Sequence, residues 1–192
     1  MSENASYSPT VQSLLDISLE MPLKVDAPVE AGQRALAGLT AEDLFEGASI
    51  VDPATADAVL AALWLRFDDL EAAHEVVNRI ENETGYLWHG ILHRREGDYP
   101  NARYWVHRAG NYPIYPYLAQ GMAAILANME SLNAEAMKSQ IKTWDSMYFV
   151  KLCERAVEEG GDFEKFCQQV QDLEWNLFFN YCYQSATGAF GS

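Results

Sequence analysis

HGILHRREGDYPNARYWV, residues 89–106, falls on LAALWLRFDDLEAAHEVV, residues 60–77, when the chain is shifted by 29 positions. Ala61 then meets Gly90, Arg66 meets Arg95, Asp69 meets Asp98, Leu70 meets Tyr99, Ala73 meets Ala102 and Val77 meets Val106. Small residues recur where two helix backbones must approach. An aspartate recurs where a second helix needs an acceptor for its free N–H groups. Each unit reads as helix, tight turn and helix, and helices joined so closely pack antiparallel. The pattern predicts an all-α fold of antiparallel helical hairpins.

The flanking sequence extends this reading in both directions. Residues 1–10 are Ser-rich and expected to fray. A short helix is expected over Val11–Leu19, and MPLKVDAPVEAG (21–32), with its two prolines, predicts an extended linker. Thr40-Ala-Glu-Asp43 is a capping-box pattern, and Asp52-Pro53 sets an N-cap acceptor before a proline at the first helical position. GNYPIYPY (110–117) breaks the helical run, after which Leu118–Ala127 and Glu135–Lys142 read as helices. Phe149, Val150, Cys153 and Val157 share one stripe. A second stripe carries Phe163, Phe166, Cys167, Val170, Leu173, Leu177 and Tyr181 at steps of three or four. Period-two alternation with hairpin turns is absent. The expected organisation is an N-terminal arm over 1–39, a single helical domain over 40–186 and a tail over 187–192.

Bulk composition narrows the function classes. The chain has 192 residues, 49% hydrophobic and 12% aromatic, enough to bury a sizeable core. Against 28 acidic residues stand 13 Lys and Arg, a formal charge of -15. Such a field repels a phosphate backbone and an anionic bilayer, so extended nucleic acid and membrane surfaces are not expected partners. MSENASYSPT lacks the basic and apolar regions of a secretory leader. Cys153, Cys167 and Cys182 are odd in number and form no C-x-x-C, which reads as packed, reduced thiols in a cytoplasmic protein.

Gly90, Gly97-Asp98-Tyr99, Ala102 and Ala109 fall at the spacings of the tetratricopeptide repeat, which residues 55–115 resemble over about a third of the chain. The offset of 29 is shorter than that family's roughly 34 residues. The string W-H-G-x-x-H-R-R-E-G-D-Y (88–99) also resembles an uncharacterised bacterial protein family, which supplies no function. The repeat resemblance implies that the end of each first helix faces a concave groove. Arg66 and Arg95 recur at that place and would form a ladder gripping a carboxylate or phosphate. Trp88, Arg94, Tyr99 and Arg103 are the further candidates, with Arg108, Tyr86, Tyr104 and Trp105 in the same basic and aromatic stretch. The function expected is a helical scaffold that binds a peptide, a protein partner or a small anionic ligand. The bland alternative pairs these arginines with Asp68, Asp69, Glu96 and Asp98.

Histidines supply a second constellation. His89 and His93 stand four apart on one helix face, a spacing used for metal ligands, with Glu96 three residues later. One helix is an awkward source of all three, since His89 and Glu96 lie about 10 Å apart along its axis. A divalent metal would need His74 or His107 as a further ligand, and the protein would then be a metal-dependent enzyme or sensor. In the 29-residue alignment, however, His89 and His93 replace the core-facing Leu60 and Trp64. They also read as buried rings satisfied by hydrogen bonds, part of a polar network over 85–108 that fixes helix register. No dinucleotide, P-loop, H-E-x-x-H or nucleophile-elbow motif occurs, so no catalytic residue is assigned.

Overall fold

The computed structural model describes residues 7–17, 19–129, 132 and 142–189. Its helices are α1 (Pro9–Leu15), α2 (Glu30–Leu36), a 3₁₀ turn (Glu42–Phe45), α3 (Pro53–Arg66), α4 (Leu70–Val77), α5 (Glu83–Glu96), α6 (Tyr99–Ala109) and α7 (Tyr115–Ala127). They are followed by α8 (Ser146–Glu159) and α9 (Gly161–Ala186). No β-strand occurs among the described residues, and the all-α class holds. The helix expected over Glu135–Lys142 lies outside the described residues, Lys142 excepted.

Local chemistry sets the helix starts. Asp52, Asp69, Asn82, Asp98 and Asp145 each accept from the backbone N–H three residues on, at Thr55, Ala72, Gly85, Asn101 and Tyr148. An oxygen on a short side chain satisfies one otherwise orphaned donor at each start. Asp69 and Asp98, the aligned pair, cap α4 and α6 in the same way. The capping box also forms, with Thr40 N–H donating to Asp43 Oδ2 at 2.8 Å. It opens only a 3₁₀ turn, which ends at Glu46 and Gly47, both with positive φ.

Helix α3 packs on α4 and α5 on α6, with α9 laid against α3 and α7 and α8 against α6 and α9. A Cβ on Gly90 would stand 2.4 Å from Val106 Cγ1, so α5 and α6 approach more closely than an alanine permits. Cys153, Cys167 and Cys182 are all buried. Along α9 the buried face begins as expected at Phe163, Phe166, Cys167 and Val170. It then shifts to Gln171, Glu174, Trp175, Phe178, Phe179 and Cys182, leaving Leu173, Leu177 and Tyr181 half-buried. The shift has a polar cause: Glu174 turns inward to an arginine of α5, and the Trp175 indole donates to Ala62 O at 3.0 Å.

The described residues before Thr40 differ most from expectation. Val11, Leu14, Met21, Leu23 and Leu36 are buried in the same core as the hairpins. The expected linker is a strap. Val25 N–H donates to Arg95 O at 2.9 Å, Val29 N–H to Phe67 O at 2.8 Å, and the Gln171 amide to Met21 O and Pro22 O. An extended segment has free backbone groups, and helix ends have free carbonyls, so each satisfies the other. The first helix stops at Leu15, and residues 30–36 form α2, whose Gly32 lies directly against Phe67. No helix among the described residues is long and apolar enough to cross a membrane.

Candidate functional site

Helix α5 carries most of the candidates into the interior. Arg94 and Arg95 are 1% and 0% exposed. Arg94 donates to Glu174 Oε2 at 2.5 Å and to Gln171 Oε1 at 3.5 Å, with its guanidinium over the Phe149 ring. Arg95 pairs with Asp68 and also donates to Leu65 O and Pro22 O. Burial pushes the Asp68 carboxyl upward and Arg95 downward, with the attraction between them opposing both shifts. For Arg94, burial works against the charge, but Glu174, with Cys153 and Cys167 beside it, outweighs burial and holds the guanidinium above its ordinary value.

These contacts dissolve the expected ladder. Arg66 is half-buried, with its guanidinium 5.1 Å from the Trp175 ring centroid and Nη1 3.8 Å from Met21 Sδ. Trp88 is buried and stacked on Phe178 at 4.5 Å, Tyr99 is half-buried, and Arg103 pairs with Glu154 at 2.9 Å across to α8. None of the six candidates stands in an open groove. A buried guanidinium is tolerated only with acceptors around it, and those acceptors come from distant parts of the chain.

His74, His89 and His93 do come together, with ring centroids 5.2 to 6.0 Å apart. His107 is exposed and lines a separate cavity beside Gly110 and Trp144. The ring nitrogens of His89 and His93 are already engaged. His89 Nδ1 and Nε2 each lie 3.1 Å from an oxygen, Gly85 O and Asn78 Oδ1. His93 Nδ1 lies 2.6 Å from Glu96 Oε2, and its Nε2 lies 3.2 Å from Asn101 Nδ2. Glu96 thus serves His93 as a hydrogen-bond partner. Among the described residues no set of three His, Cys, Asp or Glu side chains is arranged to hold a metal ion. Burial first, then His93, lowers the His74 pKa against the opposing pull of Glu96. His89 is pushed down to about 4, chiefly by burial, with the Gly85 carbonyl opposing and His74 and His93 adding to the depression.

From this cluster the α5–α6 hairpin leads out to the surface. His89 stacks on Trp105, centroids 4.2 Å apart and planes 14° apart. The Arg108 guanidinium sits 4.2 Å from the Tyr86 ring centroid, 5.3 Å from that of Trp105 and 5.7 Å from that of Tyr104. It donates to Tyr86 Oη at 3.0 Å and Tyr104 Oη at 3.2 Å. No carboxylate among the described residues forms an ion pair with it. Asn78, Ile80, Glu81, Tyr86, His89, Trp105 and Arg108 line a cleft of ≈ 300 Å³. Roomier clefts of ≈ 520 and ≈ 430 Å³ exist beside Trp144 and beside Met21, but neither is lined by a guanidinium.

Helical spacing builds this cleft: Tyr86 and His89 stand three apart on α5, and Trp105 and Arg108 three apart on α6, so each pair shares a face. The sequence holds that spacing, but not which face turns outward. Chemically the cleft offers a fixed planar cation walled by aromatic rings, a surface suited to a carboxylate or phosphate group. No protein-family model, curated protein or solved structure matches this chain.

Proposed function

We propose that this protein is a helical binding scaffold of the cytoplasm that holds an anionic group in the cleft headed by Arg108. The group would belong to a peptide, a protein partner or a small ligand. One observation carries the reading: Arg108 is an arginine of the hairpin that the fold leaves free of any carboxylate among the described residues, stacked on three aromatic rings beside a cleft. Stacking fixes the plane of the fork without neutralising its charge, and two hydrogen bonds to phenol oxygens leave further N–H donors for a ligand. The overall charge of -15 disfavours a polyanion but leaves a single carboxylate or phosphate within reach of a local cation.

The test is a titration of ¹⁵N-labelled protein with benzoate and with phenyl phosphate. Saturable shifts of the Trp105 indole signal are expected, lost in Arg108→Gln and retained in Arg103→Gln. Equal shifts in wild type and Arg108→Gln, or no shift from either compound, would remove the reading.

A further inference from the structure

We infer that anion capture in the Arg108 cleft is coupled to uptake of a proton by His89, which makes the cleft an oxyanion site that strengthens as pH falls. The inference rests on Arg108 being the anion-binding group.

The geometry that carries it is the contrast between two neighbouring histidines. His93 sits between a carboxylate oxygen and an amide nitrogen, at 2.6 and 3.2 Å, which suits a neutral ring that donates at Nδ1 and accepts at Nε2. His89 sits between two oxygens, Gly85 O and Asn78 Oδ1, both at 3.1 Å. A neutral imidazole has one N–H and satisfies one of them, whereas an imidazolium satisfies both. A neutral His89 therefore leaves one of the two oxygens without a donor.

In the empty cleft that proton is opposed. His89 is 4% exposed, His74 faces its ring from α4 and His93 from its own helix, and Arg108 lines the same cleft from α6. Glu96, two turns further along α5, is taken up by His93, and Glu81 stands in the cleft lining before α5. An anion on Arg108 offsets the positive field and lets the ring charge. Asn78 joins the ring to the cleft: its Oδ1 faces His89 Nε2 at 3.1 Å, and the same side chain lines the cleft that Arg108 heads.

Linkage fixes the sign. Free His89 titrates at about 4, and bound anion raises that value. Affinity then rises, by up to about tenfold per pH unit, as pH falls through the bound-state value toward the free one. By reciprocity, added anion raises the His89 pKa.

The experiment uses the full chain and sulfate, which keeps both charges throughout, at pH 7.5, 6.5 and 5.5 and constant ionic strength. That window lies above the ordinary carboxylate range, so Glu81 and Glu96 do not supply the pH dependence. Sulfate affinity in wild type is expected to rise about tenfold from pH 7.5 to 5.5 and to stay flat in His89→Gln. Imidazole ¹⁵N spectra of wild type should show sulfate moving the His89 titration upward, a readout independent of any variant's folding. Binding that ignores pH in wild type, or an equal rise in His89→Gln, overturns the coupling and leaves the Arg108 reading standing. No sulfate binding at any pH, or equal binding in Arg108→Gln, overturns both.

Discussion

Arg94 and Arg95 are adjacent in the chain, yet different parts of the fold neutralise them. Asp68, which holds Arg95, sits in the α3–α4 turn with φ +60, while Glu174, which holds Arg94, is 80 residues away on α9. Removing one partner of such a pair strands the other charge in the interior. Arg95→Met is expected to cost about 3–5 kcal/mol in urea unfolding, with Asp68→Asn added to it restoring most of the loss. Additive losses in the double variant would show that the pairing is not what stabilises the turn. His89 makes a second prediction at this scale. Its folded-state pKa, about 4, lies below the ordinary 6.5, so its contribution is present above pH 6.5 and is lost as pH falls from 6.5 toward 4. Wild type should lose about 2 kcal/mol through this residue between pH 7 and pH 5, and His89→Gln should show a flatter slope. His74, lowered in the same direction, adds to the wild-type slope and remains in the variant. Pairing of these arginines with local acids such as Asp68 was legible in the sequence. Glu174 was not, because on a helix it is indistinguishable from a solvated carboxylate until its partner is placed.

At the scale of elements, the two hairpins start their second helices from aspartates 29 positions apart, and an N-cap needs only the three residues that follow it. That is why the helix starts at 53, 70 and 99 could be read directly. Contact between helices is less local. Gly90 permits the close crossing of α5 and α6 because Val106 Cγ1 occupies the space a Cβ would need. Gly90→Ala should therefore cost about 1–3 kcal/mol in thermal unfolding through overpacking. Val106→Ala removes the offending methyl groups, so the double variant should be more stable than the sum of the two single losses. A purely additive result would place the strain elsewhere. Gly85 offers less relief, since its Cβ would meet the Ile80 carbonyl of the backbone at 1.9 Å.

At the scale of the whole molecule, the N-terminal strap closes the structure. Its buried side chains join the common core, and the backbone of residues 21–29 is tied to the ends of α3 and α5 and to Gln171 of α9. A chain beginning at residue 40 would expose Phe67 and the hydrogen-bonding groups around Arg95. It is expected to lose its cooperative thermal transition and to bind a hydrophobic dye. A sharp transition in the shorter chain would mean that residues 40–186 fold alone.

What the sequence determined by itself was the class and its punctuation: helices, turns, capping residues and the internal repeat of 29. These depend on interactions within a few residues and on a period of 3.6, both present in the one-dimensional string. Tertiary structure decided which charges are buried, that residues 21–29 form a strap, and that Arg108 rather than Arg66 or Arg95 lines the cleft beside His89. A side chain's charge tells nothing about its exposure when its partner lies 27 or 80 residues away. The packing of α9 and the strap against α5 consumed the inner arginines and left the outer one among aromatic rings at the surface.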